Sequence, residues 1–167
     1  MKILEFHTTE DQVRRAKEVA ASFPLNNRSY MRGKRNEHAF LGEIVVGDYL
    51  GCELHPDRNV WDYDLIFKEK KWDIKTKMTT VRPKANYNCT IYTYFNQKCD
   101  GYIFTRCLRD LSKVWMVGWI YKKDLLEKGK KFKKGDLDDN LIMEREGIGI
   151  KIKELNAFEN VSNYSKS

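Results

Sequence analysis

Glu43, Asp64, Asp73 and Lys75 fall within 33 residues of one another, three carboxylates followed by an ammonium. Around the last three the hydrophobic period is two. Trp61, Tyr63, Leu65 and Phe67 fall on one side of a strand, and Asp62, Asp64 and Ile66 on the other. Trp72, Ile74 and Thr76 alternate in the same way with Asp73, Lys75 and Lys77. The charged link Lys68-Glu69-Lys70-Lys71 joins the two runs, so the pattern predicts a β-hairpin over about 60–77, without the Asn-Gly turn signal. A two-residue turn at Glu69-Lys70 pairs Phe67 with Trp72, Ile66 with Asp73, Leu65 with Ile74 and Asp64 with Lys75. The aromatic residues then face the core, while Asp62, Asp64, Asp73, Lys75 and Lys77 emerge on the opposite side. Cβ atoms directly opposed on a hairpin lie about 5 Å apart, and diagonal ones about 7 Å. Two carboxylates at that separation hold a divalent cation through their oxygens. A solvated sheet face of mixed charge is the simpler reading of the same residues.

The elements that must position these groups reduce its appeal. Apolar residues recur at Phe40, Leu41, Ile44, Val45 and Leu50, which predicts a helix over 36–50 stopped at Gly51. From 39 to 50 its only acids are Glu43 and Asp48. A carboxylate among apolar neighbours needs a cation or a hydrogen-bond network. Two alternatives stay open. Asp62 points the same way as Asp64, and Glu37 competes with Glu43, although six residues turn a helix by about 240°, so one face cannot carry both.

A helix carboxylate, a strand aspartate and then Asp-x-Lys on the next strand resembles the PD-(D/E)XK nuclease superfamily. The matching residues are Glu43 in Phe40-Leu41-Gly42-Glu43, Asp64 in Tyr63-Asp64-Leu65-Ile66, and Asp73-Ile74-Lys75-Thr76. The likeness covers about 36–77, and Tyr63 stands where many members have proline. Glu37 follows Gly33 with a spacing seen in Holliday-junction resolvases of the same superfamily. The resemblance implies a restriction-endonuclease-like core and a Mg²⁺-dependent endonuclease acting on DNA, with Mn²⁺ as substitute. It makes Asp64, Asp73 and the Ile74 backbone carbonyl metal ligands. Lys75 then stands beside the attacking water, and Glu43 positions that water or completes the metal shell. Such small nucleases often dimerise and often occur in phage or mobile elements. Phosphodiester hydrolysis needs a hydroxide and neutralisation of charge at phosphorus, which a carboxylate-bound cation and an ammonium supply. A non-catalytic nucleic-acid-binding module of the same fold, or a nuclease for RNA or branched DNA, are the alternative expectations.

Charge agrees with an anionic partner. The 167 residues carry 31 Lys and Arg against 24 Asp and Glu, a net +7. Arg28, Arg32, Lys34 and Arg35 precede the Glu43 helix, and Lys77, Arg82 and Lys84 follow the hairpin. Both groups are candidates for phosphate contact, most simply with double-stranded DNA. A third segment, 122–134, holds seven lysines. The longest mostly apolar run, 114–121, is far below the roughly 20 residues of a membrane span. Glu5 interrupts any signal-peptide core. Cys52, Cys89, Cys99 and Cys107 make no Cys-x-x-Cys pair, so reduced thiols in a cytoplasmic protein are expected.

Thr8-Thr9-Glu10-Asp11-Gln12 carries capping-box chemistry for a first helix over 9–23, before Pro24. Further strands are expected at 89–95, 102–107, 114–120 and 147–152, a short helix at 122–127, and a polar tail from about 156. The fold class is α/β, a single domain over 1–155 with a central mixed β-sheet flanked by helices.

Overall fold

The computed structural model describes residues 2–22, 34–56, 62–93 and 96–158, with residues 34–36 described through their backbone only. The chain begins with strand β1 (Leu4–His7), followed by helices α1 (Glu10–Ser22) and α2 (Lys34–Leu50). Strands β2 (Leu65–Phe67), β3 (Lys70–Thr79), β4 (Asn88–Tyr92), β5 (Gly101–Leu108) and β6 (Lys113–Tyr121) come next. Helix α3 (Lys122–Lys128) precedes β7 (Lys130–Phe132), β8 (Leu137–Asp138), β9 (Leu141–Ile142) and β10 (Gly147–Lys151), and a 3-10 turn covers Ile152–Glu154. Among the described residues, the main sheet is ordered β1-β6-β5-β3-β2. Its β3–β5 pair is parallel and the others antiparallel, which makes it a mixed sheet. A second sheet is ordered β4-β10-β7, and β8 and β9 form a small hairpin. No helix among the described residues is long and apolar enough to cross a membrane.

Local chemistry explains both long helices. The Thr9 amide donates to Gln12 Oε1 and the Gln12 amide to Thr9 Oγ1, both at 3.0 Å, so the capping box forms at the start of α1. Arg15 reaches Asp48 Oδ2 at 2.5 Å and Gln12 reaches the same atom at 3.0 Å, which occupies the second helix acid in tying α1 to α2. In α2, Gly42 lies so close to the sheet that a Cβ there would sit 2.1 Å from Thr76 Oγ1 and 2.9 Å from Thr105 Oγ1. Those hydroxyls bond each other at 2.7 Å. Gly42→Val is therefore expected to destabilise the protein by about 1–3 kcal/mol through overpacking, read as a lowered urea midpoint.

The main sheet is covered differently on its two faces, by α1 and α2 on one and mostly by the second sheet on the other. Ile74, Ile103, Met116 and Leu65 pack with Val46 of α2, and Phe40, Leu41 and Ile44 pack with Ala16 of α1. On the opposite face Tyr102, Phe104, Trp115 and Val117 pack against Cys89, Ile91, Ile148 and Ile150 of the second sheet, together with Leu125 of α3. The expectation of a sheet flanked by helices thus holds on one side, while a sheet covers most of the other. β1 was not expected from sequence; four residues paired to β6 are too few to show a period. Of the polar tail expected from about 156, residues 156–158 are described and they are tied to the fold. Asn156 exchanges backbone hydrogen bonds with Trp119, and Phe158 is buried.

Candidate active site

The hairpin forms, with its turn one residue before the position expected and its pairing therefore shifted by two. Lys68 and Glu69 make the turn at φ 51° and 64°, the doubly left-handed turn whose twist matches flanking strands. Leu65 therefore pairs with Trp72, Ile66 with Lys71 and Phe67 with Lys70. Asp100 supports this register by accepting the Lys71 amide at 2.8 Å. The expected pairing of Asp64 with Lys75 does not form; Asp64 lies just before the paired strand, where the charge of Asp73 acts on it. A shift by two leaves every side chain on its expected face, because the strand period is two. The face carrying Asp73, Lys75 and Lys77 is not a solvated surface, since Asp73 is 6% exposed and the second sheet packs on the same side.

Four predicted groups meet there. Glu43, which follows the close-packed Gly42 on α2, hydrogen-bonds Asp64. Asp64 Oδ2 accepts the Ile74 amide at 2.7 Å. The Asp64 amide in turn donates to the Trp72 carbonyl at 2.8 Å, so Trp72 and Ile74 both turn their backbone groups toward Asp64. The Ile74 carbonyl, expected as a ligand, projects from that same edge. Asp73 Oδ1 accepts from Gln97 Nε2 at 2.8 Å, and its Oδ2 lies 2.9 Å from Lys75 Nζ. Lys75 is thus the partner of the buried Oδ2.

The electrostatics follow from crowding acids in a partly dry place. Burial, and then the charge of Asp73, push the Asp64 carboxyl up to about 7, against the Ile74 amide, the Glu43 hydrogen bond and Lys75. Burial works against the Lys75 charge, but Asp73 and then Asp64 outweigh it and hold the ammonium above its ordinary value. Among the described residues no three His, Cys, Asp or Glu side chains form a ready-made metal cage. The donors that converge are nonetheless hard oxygens, suited to Mg²⁺ rather than to a soft metal. A divalent cation would relieve the Asp64–Asp73 repulsion, so the residues fit one.

The rival acids go elsewhere. Asp62 Oδ1 accepts the Lys98 amide at 3.1 Å, and Glu37 lies in the first turn of α2. Two groups at the site were missed. Gln97 is buried beside Asp73, and Lys122 donates to Asn96 Oδ1 at 2.7 Å and to the Gln97 carbonyl, which fixes the Gln97 segment. Neither had a signal: Gln97 stood in a polar link and Lys122 among seven lysines. Of the candidate phosphate contacts, Arg28 and Arg32 lie outside the described residues, and Lys34 and Arg35 are described only as backbone of α2. Lys84 is exposed, Lys77 pairs with Asp138 at 3.6 Å, and Arg82 pairs with Glu5 at 3.2 Å.

Comparison with known proteins finds no family model that matches the chain and no curated protein that matches its sequence.

Proposed function

We propose that the protein is a metal-dependent endonuclease that hydrolyses phosphodiester bonds in DNA. The observation that carries this reading is the convergence of Glu43 from α2, Asp64 at the mouth of the hairpin, and Asp73 and Lys75 from β3. Lys75 meets the charges of Asp73 and Asp64, and Glu43 bonds Asp64; burying acids together in this way costs folding stability. Asp64, Asp73 and the Ile74 carbonyl would hold Mg²⁺, or Mn²⁺ in its place, which when bound supplies water activation and charge neutralisation.

The chain's own groups do the rest. Gln97 fixes the Asp73 carboxylate through Oδ1 and leaves Oδ2 toward Lys75. Lys75 is held charged and about one-third exposed, a point charge available to a phosphoryl oxygen as negative charge grows there. Glu43, bonded to Asp64, stands where it can orient a water and take its proton. The finer fold reading belongs with this proposal. An α2 carboxylate over a β2–β3 hairpin, with β5 parallel to β3, supports a restriction-endonuclease-like core. Four unpaired thiols support a cytoplasmic setting, and the net charge of +7 supports a nucleic-acid partner.

The test is cleavage by the purified chain of plasmid, linear duplex, single strand, four-way junction and RNA, in Mg²⁺, Mn²⁺ or EDTA. Nicked or linear plasmid with either metal and intact plasmid in EDTA is the expected result. Salt-dependent binding with no cleavage of any substrate would point instead to a binding module. Gln97→Leu is expected to slow cleavage by about 10–100-fold, as loss of a group orienting a metal ligand does, with a kcat loss larger than any KM change.

A further inference from the structure

We propose that Asp138 sits on Lys77 in the place of a substrate phosphate, so that the β8–β9 hairpin is an acidic strap which nucleic acid must displace to reach that lysine. The proposal rests on the nuclease reading, because Lys77 continues the row of the candidate site. It lies two residues beyond Lys75 on β3, hence on the same face as Asp73 and Lys75 and about 7 Å further along. Its side chain is about one-third exposed, and its ammonium lies 3.6 Å from Asp138 Oδ2. Arg106 is its partner in the β3–β5 register, so a second cation stands beside it. Arg106 is buried and committed elsewhere: it donates to the Asn88 carbonyl at 2.6 Å, and its guanidinium lies 5.8 Å from the centre of the Tyr87 ring. Lys77 is thus the cation of the two that a phosphate can reach.

The hairpin is closed at its base and latched at its tip. At the base, the Met143 amide donates to the Asp136 carbonyl and the Gly135 amide to the Met143 carbonyl, both at 2.8 Å, and buried Met143 lies against Gly147 of β10. Neither strand joins a larger sheet. Leu137, Leu141 and Ile142 are each more than half exposed, so the hairpin buries little apolar surface against the body. Elements with few buried apolar contacts are the first to open. At the tip the contacts are polar. Asp139 turns the chain at φ 53° and accepts the Asn88 amide at 2.9 Å through Oδ2. Asp138 is 5% exposed, yet its Oδ1 has no hydrogen bond among the described residues, and its Oδ2 stands off Lys77 Nζ beyond hydrogen-bond length. A buried carboxylate satisfied so poorly weakens the fold. The latch is therefore weak, and a phosphate that bonds Lys77 fully can displace it.

Charge decides what the strap does. From Gly135 to Glu146 the segment carries five acids, Asp136, Asp138, Asp139, Glu144 and Glu146, against Arg145 alone. Such a segment repels a phosphate backbone and offers nucleic acid no docking surface. It acts instead as an internal stand-in for one. In a chain of net charge +7 it sets a carboxylate on a lysine of the catalytic row, where the substrate would set a phosphate. Lys128, Lys130, Lys131, Lys133 and Lys134, which precede the strap, stay exposed and keep their attraction for a polyanion while Lys77 is covered. A pair kept for stability alone would satisfy both oxygens of a buried carboxylate, and here one is left without a hydrogen bond. Lifting the tip frees Lys77 and, with it, the Asn88 amide that Asp139 holds.

The test is binding to a DNA duplex in EDTA, where nothing can be cut, across a salt series. Asp138→Asn keeps the side-chain shape and removes the charge of the latch. It is expected to bind about tenfold more tightly at low salt, the low end of what a contact to a charged group contributes. The slope of log affinity against log salt should steepen by about 0.9, which is one phosphate more. Adding Lys77→Ala to that variant should remove both gains. Glu144→Gln, which takes an equal charge from an exposed position of the same segment, should leave the slope unchanged. In the native chain, NMR should show the Asn88 amide exchanging faster once duplex is bound, a measurement that needs no substitution. An unchanged slope in Asp138→Asn, an equal gain from Glu144→Gln, or Asn88 exchange that duplex leaves unchanged or slows overturns the proposal. If no metal supports cleavage but the Lys77-dependent gain appears, the nuclease reading fails and the strap stands, on a nucleic-acid-binding module. Cleavage in Mg²⁺ by a chain whose Asp138→Asn variant gains nothing has the opposite meaning.

Discussion

Asp73→Asn is expected to reduce Mg²⁺-dependent cleavage by about a thousandfold or more, at the upper end of what a single electrostatic group contributes, with the chain still folded. The side chain keeps its shape, and an Asn oxygen can still accept from Gln97 Nε2, which now meets Asp73 Oδ1 at 2.8 Å. What disappears is the negative charge that faces Lys75 at 2.9 Å and pairs across the site with Asp64. Lys75→Met removes the other half of that pair, keeps the aliphatic stem and should cost a similar factor. It should also destabilise the fold, because it leaves a buried carboxylate with no cation. The double variant with both changes should regain much of that stability and none of the activity, since no unpaired charge remains. Lys75→Arg should not restore the rate; a planar fork cannot occupy the place of a compact ammonium. Plasmid nicking rates and urea unfolding of the same four proteins check all of this. Full activity in Asp73→Asn would falsify the assignment of the site.

Asp64→Asn should do the opposite to stability. In the metal-free protein burial and the charge of Asp73 hold the Asp64 carboxyl up to about 7, above its ordinary value of 3.8. The folded chain therefore binds that proton more tightly than the unfolded chain does. The associated stability is fully present below about pH 4 and is lost as pH rises through about 7. The size of this loss is on the order of 2–4 kcal/mol. Asp64→Asn removes the titration, so it should be more stable than the native chain at pH 8 and about equal to it at pH 4. The difference between the two proteins isolates Asp64 from every group they share. Millimolar Mg²⁺ at pH 8 should raise the native urea midpoint and leave that of Asp64→Asn unmoved, while cleavage by the variant is lost. An Asp64→Asn chain that unfolds at a lower urea concentration at pH 8 would contradict the burial of a repelled pair.

How much of this was legible in the sequence depends on how local each feature is. The capping of α1 lies within four residues and was readable from Thr9 and Gln12 alone. The apolar recurrence of α2 placed Glu43 among buried neighbours and required a partner for it, and that partner is Asp64. The hairpin turn was misplaced because neither Lys68 nor Glu69 belongs to the residues that favour positive φ. Gln97 was invisible, since its contact with Asp73 crosses 24 residues and a parallel strand connection. The second sheet was equally hidden. Two of its three strands, β4 and β10, were expected as strands and β7 was not, and nothing in their period says which face of the main sheet they cover.

The sequence by itself determined that Asp64, Asp73 and Lys75 share one side of a hairpin. Side-chain direction alternates with every residue, so that result survives any even change of register. It likewise determined that a helix carboxylate precedes them and must be satisfied. Only the tertiary structure decided that Asp64 bonds Glu43 and meets the charge of Asp73, that Gln97 and Lys122 brace the site, and that Lys77 pairs with Asp138. Those outcomes depend on contacts between distant segments. Packing of whole faces sets their geometry, and local alternation carries no information about it.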